Sequence, residues 1–521
     1  MKRLVALTAA IGLGVLGLAA APAAQAAPDP HIPPVTWGVC PAGVQAYAAI
    51  FQVTTIQCGR VDVPEDYAHP QGKKITLEVS RVPHTGPGKA KGVVLVNPGG
   101  PGGSGTGFAA RVFGQGSAAI QAVYDFIGFD PRGVGDSTPS LNCDTNYFKP
   151  VRADYVPSSK AEINAWLLKS KGYAAACATK YGSLLDHMKS TDWARDMDSI
   201  RKSLGERKIN YYGASYGTYL GAVYATMFPH RVNRMVLDSN VRPSGVWYDD
   251  NIDQDYAFDR NLNIFFGWVA KYDSIYHVGT TEAAVRSFYY ASRTALKAVP
   301  AGGLVGPSEL DDTYQYGGYR ASSAVWSLLA KGLAGYKAGQ TQPLVDAFNA
   351  VGATPDDNTF AVYNAVQCTD IQWPMDWAKW NLDTRHVYKT APFLAWGNAW
   401  FNAPCLYWAG KAGTPVHIGD IRHLPGILLF QATLDAATPF NGGVEMHSLL
   451  KGSHLVVEDG GKTHGVVHRG NLPLDAYYDA YLLDGTMPAQ DTVHVPALPD
   501  PVPAASAARV AGSVADLGIL R

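Results

Sequence analysis

Asn210-Tyr-Tyr-Gly-Ala-Ser-Tyr-Gly-Thr-Tyr-Leu-Gly-Ala-Val-Tyr-Ala-Thr226 leaves the backbone few paths to follow. Lys208 to Tyr212 reads as a short strand. Thr218 to Phe228 reads as a helix, with Gly221, Ala222 and Ala225 where close packing needs small residues. Between them stands Gly213-Ala214-Ser215-Tyr216-Gly217, a Gly-x-Ser-x-Gly pattern. A strand, a sharp glycine-flanked turn and a helix strain the backbone at the serine and hold its hydroxyl above a sheet. Side chains two residues either side would collide with the neighbouring strand and helix.

The surrounding chain alternates in the same way. Lys74–Val82 alternates apolar and polar residues, as a strand does. Gly92–Asn97, Tyr124–Asp130, Val232–Asp238, Gly426–Asp435 and Ser453–Asp459 are apolar runs that read as buried strands, the last of them the final strand. Helices fall between them: 158–181, then 192–205 with Thr191 as its start signal and Gly205 as its stop, then 441–450 and 474–483. The pattern predicts an α/β fold with a mainly parallel central sheet and helices on both faces. From Trp247 to Leu424 the buried-strand runs cease and nine of the twelve Trp occur, so this stretch reads as a large helical cap inserted between two core strands. Residues 27–60 look irregular, and the tail from Pro496 reads as an Ala/Pro-rich mobile segment. The expected division is a signal peptide over 1–26, core over 27–246, cap over 247–424, core over 425–495 and tail over 496–521.

Lys2 and Arg3, the apolar run Leu4–Ala21 and the small-x-small site Ala24-Gln25-Ala26 form a secretory leader. Six cysteines follow it, and an even number in an exported chain points to disulfides. Proximity in sequence favours Cys40–Cys58, Cys143–Cys177 and Cys368–Cys405. No Cys-x-x-Cys occurs, so no metal is expected. A net charge of −1 gives no electrostatic case for nucleic acid or an anionic membrane as partner. The expectation is a secreted monomer without a cofactor, and without membrane attachment once the leader is cleaved.

A serine hydroxyl attacks only when a base takes its proton and a third group orients that base. Asp435 closes one predicted strand and His464 follows the next, outside the carboxyl ends where catalysts gather in open α/β sheets. Ser215 as nucleophile, His464 as base and Asp435 as orienting acid follow the chain order of α/β-hydrolases. His468 and Asp238 are the nearest rivals. The oxyanion donors are the amides of Tyr216 and of Gly100, in the glycine-rich loop Pro98–Gly105 after the first core strand. Asp130 and Arg132 read as braces for loops.

Asn97-Pro-Gly-Gly-Pro-Gly-Gly-Ser-Gly, Gly128-Phe-Asp-Pro-Arg-Gly-Val-Gly, Tyr212-Gly-Ala-Ser-Tyr-Gly-Thr-Tyr-Leu-Gly and Asp435-Ala-Ala-Thr-Pro together resemble the secreted tripeptidyl aminopeptidases of actinomycetes, relatives of prolyl aminopeptidases. The likeness runs from about Trp37 to about Leu483. It implies a serine exopeptidase that takes peptides with a free N-terminus; a carboxylesterase with the same triad is the alternative. Gln367 departs from the glutamate the resemblance implies, which leaves Asp370 as the candidate to bind the substrate α-amine. The cysteine pair that the resemblance implies after His464 is absent.

Overall fold

In the computed structural model, residues 32–352, 356–419 and 424–504 are described. The expected leader lies outside them. Ten strands form one sheet: β1 Gly38–Val39, β2 Gln57–Pro64, β3 Lys74–Val82, β4 Gly92–Asn97, β5 Tyr124–Phe129, β6 Ile209–Ala214, β7 Val232–Asp238, β8 Ile427–Ala432, β9 His454–Asp459 and β10 Thr492–Pro496. Their order is β1-β2-β3-β5-β4-β6-β7-β8-β9-β10. The pairs β1/β2, β2/β3 and β3/β5 are antiparallel. Every pair from β5 to β10 is parallel.

Alternation along the parallel strands covers both faces, because successive side chains point to opposite sides. Val94, Val96, Tyr212, Val236, Phe430 and Val456 pack with α1 (Ala42–Ile50), α2 (Thr106–Gln115), the short α3 (Ala118–Gln121) and, near the C-terminus, Leu472–Asp484. Leu95, Tyr211, Leu237, Leu429 and Val457 pack on the other face with α4 (Lys160–Tyr181), α5 (Ser190–Ser203) and α6 (Tyr216–Met227). Each large apolar side chain fully buried this way contributes roughly 1.5–3 kcal/mol.

Between β7 and β8 the chain is helical: α7 Tyr248–Lys271, α8 Asp273–Tyr276, α9 Glu282–Ala298, α10 Pro307–Tyr319, α11 Ser323–Lys337, α12 Gln342–Ala347, α13 Asp357–Asp370, α14 Trp377–Tyr388 and α15 Ala395–Asn402. Helices α7 to α12 share a core around Phe265, Phe266, Tyr289, Tyr314 and Trp326, which Phe393, Leu394, Ala436 and Ala437 join. Most of the insertion's tryptophans are packing. Trp373 stacks on Trp380 at 5.4 Å, and Trp377 and Trp396 stack on Trp400. After β8 come α16 Phe440–Leu449 and α17 Leu472–Asp484. The three disulfides are Cys40–Cys58, Cys143–Cys177 and Cys368–Cys405, the pairs favoured by sequence proximity. Among the described residues no helix is long and apolar enough to cross a membrane.

The structure corrects four expectations. Residues 27–60 are not irregular throughout, since α1, β1 and the start of β2 lie there. Ser453–Asp459 is not the last strand, because β10 adds in parallel to β9. Thr191 lies inside α5, whose N-cap position is Lys189. The start of the tail is docked: Trp268 donates to the Pro501 carbonyl at 2.6 Å, Ala504 donates to Ser327 Oγ at 2.8 Å, and Lys462 pairs with Asp500.

Candidate active site

Ser215 joins β6 to α6 with φ 58°, a left-handed conformation that a non-glycine residue adopts only when its surroundings enforce it. The enforcement is steric. A Cβ on Gly213 would come within 2.3 Å of the Gly217 carbonyl oxygen, and one on Gly217 within 2.7 Å of the Asn97 carbonyl oxygen. The Ser215 amide donates to the Asp238 carbonyl at 3.0 Å, and Thr218 Oγ1 donates to the Ser215 carbonyl at 2.6 Å.

The loop after β4 lies against this turn. A Cβ on Gly99 would come within 2.9 Å of the Tyr216 nitrogen. Gly100, with φ +109°, lines the same cavity as Ser215 and Tyr216. Asp130 braces that loop: one carboxylate oxygen accepts from Ser104 Oγ at 2.7 Å and from the Gly105 amide at 3.0 Å. Arg132 does not pair with Asp130. It forks onto both oxygens of buried Asp196, each at 2.7 Å.

Asp435 and His464 come together from the ends of β8 and β9. His464 Nδ1 lies 2.9 Å and 3.1 Å from the two Asp435 oxygens. The carboxylate also accepts from the amides of Ala437 and Thr438 and from Thr438 Oγ1. Burial pulls the Asp435 carboxyl upward, but the imidazole and the Thr438 amide outweigh it and hold the carboxyl below its ordinary value. His464 Nε2 is buried and makes no hydrogen bond, so the expected bond to Ser215 Oγ is not formed in this structure.

The rivals have other work. Asp238 accepts from the amides of Val466 and Val467 and from Tyr212 Oη, so it anchors the loop after His464. His468 packs edge-on against Tyr478.

The insertion holds both catalytic loops. Arg260 and Asn261 of α7 donate to the carbonyls of Asp435 and Leu434 at 3.1 and 2.9 Å. Gln254 donates to the Ala437 carbonyl at 2.6 Å. The His464 amide donates to the Tyr319 carbonyl at 3.0 Å.

A cavity of about 220 Å³ opens over Ser215 beneath the insertion. Gly100, Trp247, Gln367, Asp250, Asp253 and Asp312 are in its wall. Asp370 is not, which corrects its expected place. Its carboxylate accepts from the Ser190 amide and Ser190 Oγ, each at 2.6 Å, and from Trp247 Nε1 at 3.1 Å. It therefore caps α5 from the insertion, and burial pushes it up to about 6. Sequence reasoning missed Asp250 and Asp253. The acid-rich run Asp249-Asp-Asn-Ile-Asp253 at the start of the insertion was the available signal. Among the described residues no His/Cys/Asp/Glu group could hold a metal.

Residues 92–310 match the family described as alpha/beta hydrolase fold, and residues 391–494 match the one described as TAP-like protein. The chain is 44% identical over 452 residues to the tripeptidyl aminopeptidase of Streptomyces lividans, covering 85% of this chain and 84% of that protein. It is 30% identical over 459 residues to the serine protease Hip1 of Mycobacterium tuberculosis, covering 83% and 86%. It is 33% identical over 503 residues to carboxylesterase B of the same organism, covering 91% and 95%. A strained serine at a glycine-flanked turn, a buried Asp–His pair and similarity along most of the chain agree: the protein belongs to the tripeptidyl aminopeptidase family of α/β-hydrolases.

Proposed function

We propose that the protein is an exported serine exopeptidase that releases tripeptides from free N-termini. Ser215 Oγ attacks the scissile carbonyl carbon as His464 Nε2 takes its proton, and Asp435 steadies the imidazolium. The amides of Tyr216 and Gly100 receive the oxyanion. The C–N bond then breaks, and His464 gives its proton to the leaving amine. Water, deprotonated by the same imidazole, attacks the acyl-enzyme and frees the tripeptide carboxylate. The bond from His464 to the serine closes around bound substrate, as catalytic hydrogen bonds commonly do.

The observation that carries the exopeptidase reading is the pair of carboxyl groups, Asp250 and Asp253, in the cavity wall that also holds Ser215. Asp250 and Asp253 face one cation, Arg242, whose Nε is 3.5 and 3.0 Å from them. Asp250 Oδ2 is buried and accepts no hydrogen bond. Burial pushes the Asp250 carboxyl well above its ordinary value, and a substrate α-ammonium draws it to the ionised form while bringing up to three donors. Asp250 and Asp253 thus take the role that the sequence assigned to Asp370. The leader and the three disulfides support export.

The 33% identity to a carboxylesterase keeps ester hydrolysis by the same triad as the second reading. Mass spectrometry of a digested peptide separates the two. Successive losses of three residues from the free N-terminus, blocked by N-acetylation, support the exopeptidase. Equal cleavage of blocked and free peptides, or turnover of small esters alone, overturns it.

A further inference from the structure

Helix α10 belongs to two sites at once. Asp312, Gln315, Tyr316 and Tyr319 line the cavity over Ser215. The end of the same helix grips the base. The His464 amide donates to the Tyr319 carbonyl, and Arg320 Nη1 donates to the His464 carbonyl. The Tyr319 ring meets the imidazole edge-on at 5.6 Å between centroids. One residue earlier, Thr463 Oγ1 accepts from the Ala321 amide at 3.3 Å. Residues 319–321 thus touch the chain on both sides of the His464 Cα.

We infer that Arg320 is a positioning residue for His464, and that α10 is the element through which a peptide in the cavity bears on the base. The inference rests on the serine-hydrolase reading above. Asp435 fixes one end of the imidazole, at Nδ1, but the placement of Nε2 also depends on where the backbone carries the ring. A planar guanidinium against the carbonyl fixes that backbone with directional donors. Arg320 is buried and lies outside the wall of the peptide cavity. It lines a smaller cavity behind the turn, with His464, Ala214 and Pro98. It acts through His464 without touching substrate, so its loss falls on turnover and leaves binding unchanged.

The test uses the full chain with Arg320→Met and Arg320→Lys. Turnover of a chromogenic tripeptide amide with a free N-terminus gives kcat and KM. A small fluorophosphonate reports the reactivity of Ser215 without peptide contacts. All assays run well below the lowest unfolding midpoint. Arg320→Met is expected to lower kcat about 10- to 100-fold, the order that a displacement of about 1 Å costs. KM stays within about twofold, labelling slows with kcat, and Arg320→Lys recovers part of the loss. Should the Met variant not fold, the Lys variant alone is expected to show a kcat several-fold below wild type at unchanged KM. Wild-type kcat in a folded variant overturns the inference, as does a loss carried by KM. Failure of wild type to take the fluorophosphonate at Ser215 instead overturns the serine-hydrolase reading.

Discussion

Asp435 and His464 are closed off from water together: Oδ2 is 2.9 Å from Nδ1, and the side chains are 0% and 1% exposed. Asp435→Asn removes the charge that steadies the imidazolium and favours the wrong tautomer. A fall in kcat of about 10³- to 10⁴-fold is expected, with KM little changed. The same pair sets an acid limit on stability. The folded-state carboxyl is held below its ordinary value, so its stabilising share is complete above the unfolded value of about 3.9 and is lost as pH falls through the lower folded one. Calorimetry should therefore show wild type above the variant in Tm from neutral pH down to about pH 4, with the gap closing below.

Asp370 and Asp250 should separate cleanly. Asp370→Ala takes the acceptor from the Ser190 amide at the start of α5 and from Trp247 Nε1, and leaves Ser190 Oγ only its bond with Tyr216 Oη. It is expected to cost about 1–3 kcal/mol of stability, read by denaturant unfolding, without raising KM for free-N-terminus peptides. Burial and the neighbouring acids push the Asp250 carboxyl well above its ordinary value, and Asp250→Asn removes the group that ionises against a substrate ammonium. It is expected to raise KM for those peptides about tenfold or more and to leave fluorophosphonate labelling of Ser215 unchanged.

Asp255 of α7 is buried with one hydrogen bond, from Asn398, and burial pushes it up to about 8. The folded protein therefore keeps a proton that the unfolded chain releases near pH 4. The contribution of this group to stability falls as pH rises from about 4 to about 8 and levels off beyond. Asp255→Asn should flatten that slope. The variant should unfold at a higher temperature than wild type at pH 8–9, and with little difference near pH 4–5.

Cys143–Cys177 ties the loop before α4 to the helix itself, across 34 residues. The double substitution to Ser is expected to cost about 3–4 kcal/mol by the chain-entropy estimate. Chemical denaturation should show it, while kcat at 25 °C stays close to wild type, because neither cysteine lines the cavity.

What could be read from the sequence was whatever local sterics dictate. The turn at Ser215 was legible because glycines 213 and 217 each leave room for one backbone neighbour. The order of Asp435 and His464 was legible because Asp435 closes one apolar run and His464 follows the next. β10 was missed because Thr492–Pro496 is short and has one buried residue, and only its pairing with β9 makes it a strand. β2 was missed because Gln57 and Arg60 interrupt its apolar pattern, as an outer strand allows. Asp370 was misjudged because its partner, Ser190, is 180 residues away. Asp250 was overlooked because a carboxylate near the start of a helix is ordinary. Only the fold shows that its Oδ2 has no donor.

The bonds from Gln254, Arg260 and Asn261 to the loop of Asp435, with those from residues 319–321 to the loop of His464, bear on how such a protein can be re-engineered. Replacing the whole helical roof with one from a distant relative would pull the scaffolding from beneath the acid and the base, even with every residue of the triad retained. New substrate preferences are better sought by exchanging single wall residues such as Gln315 or Gln367, which face the chamber while the struts stay in place.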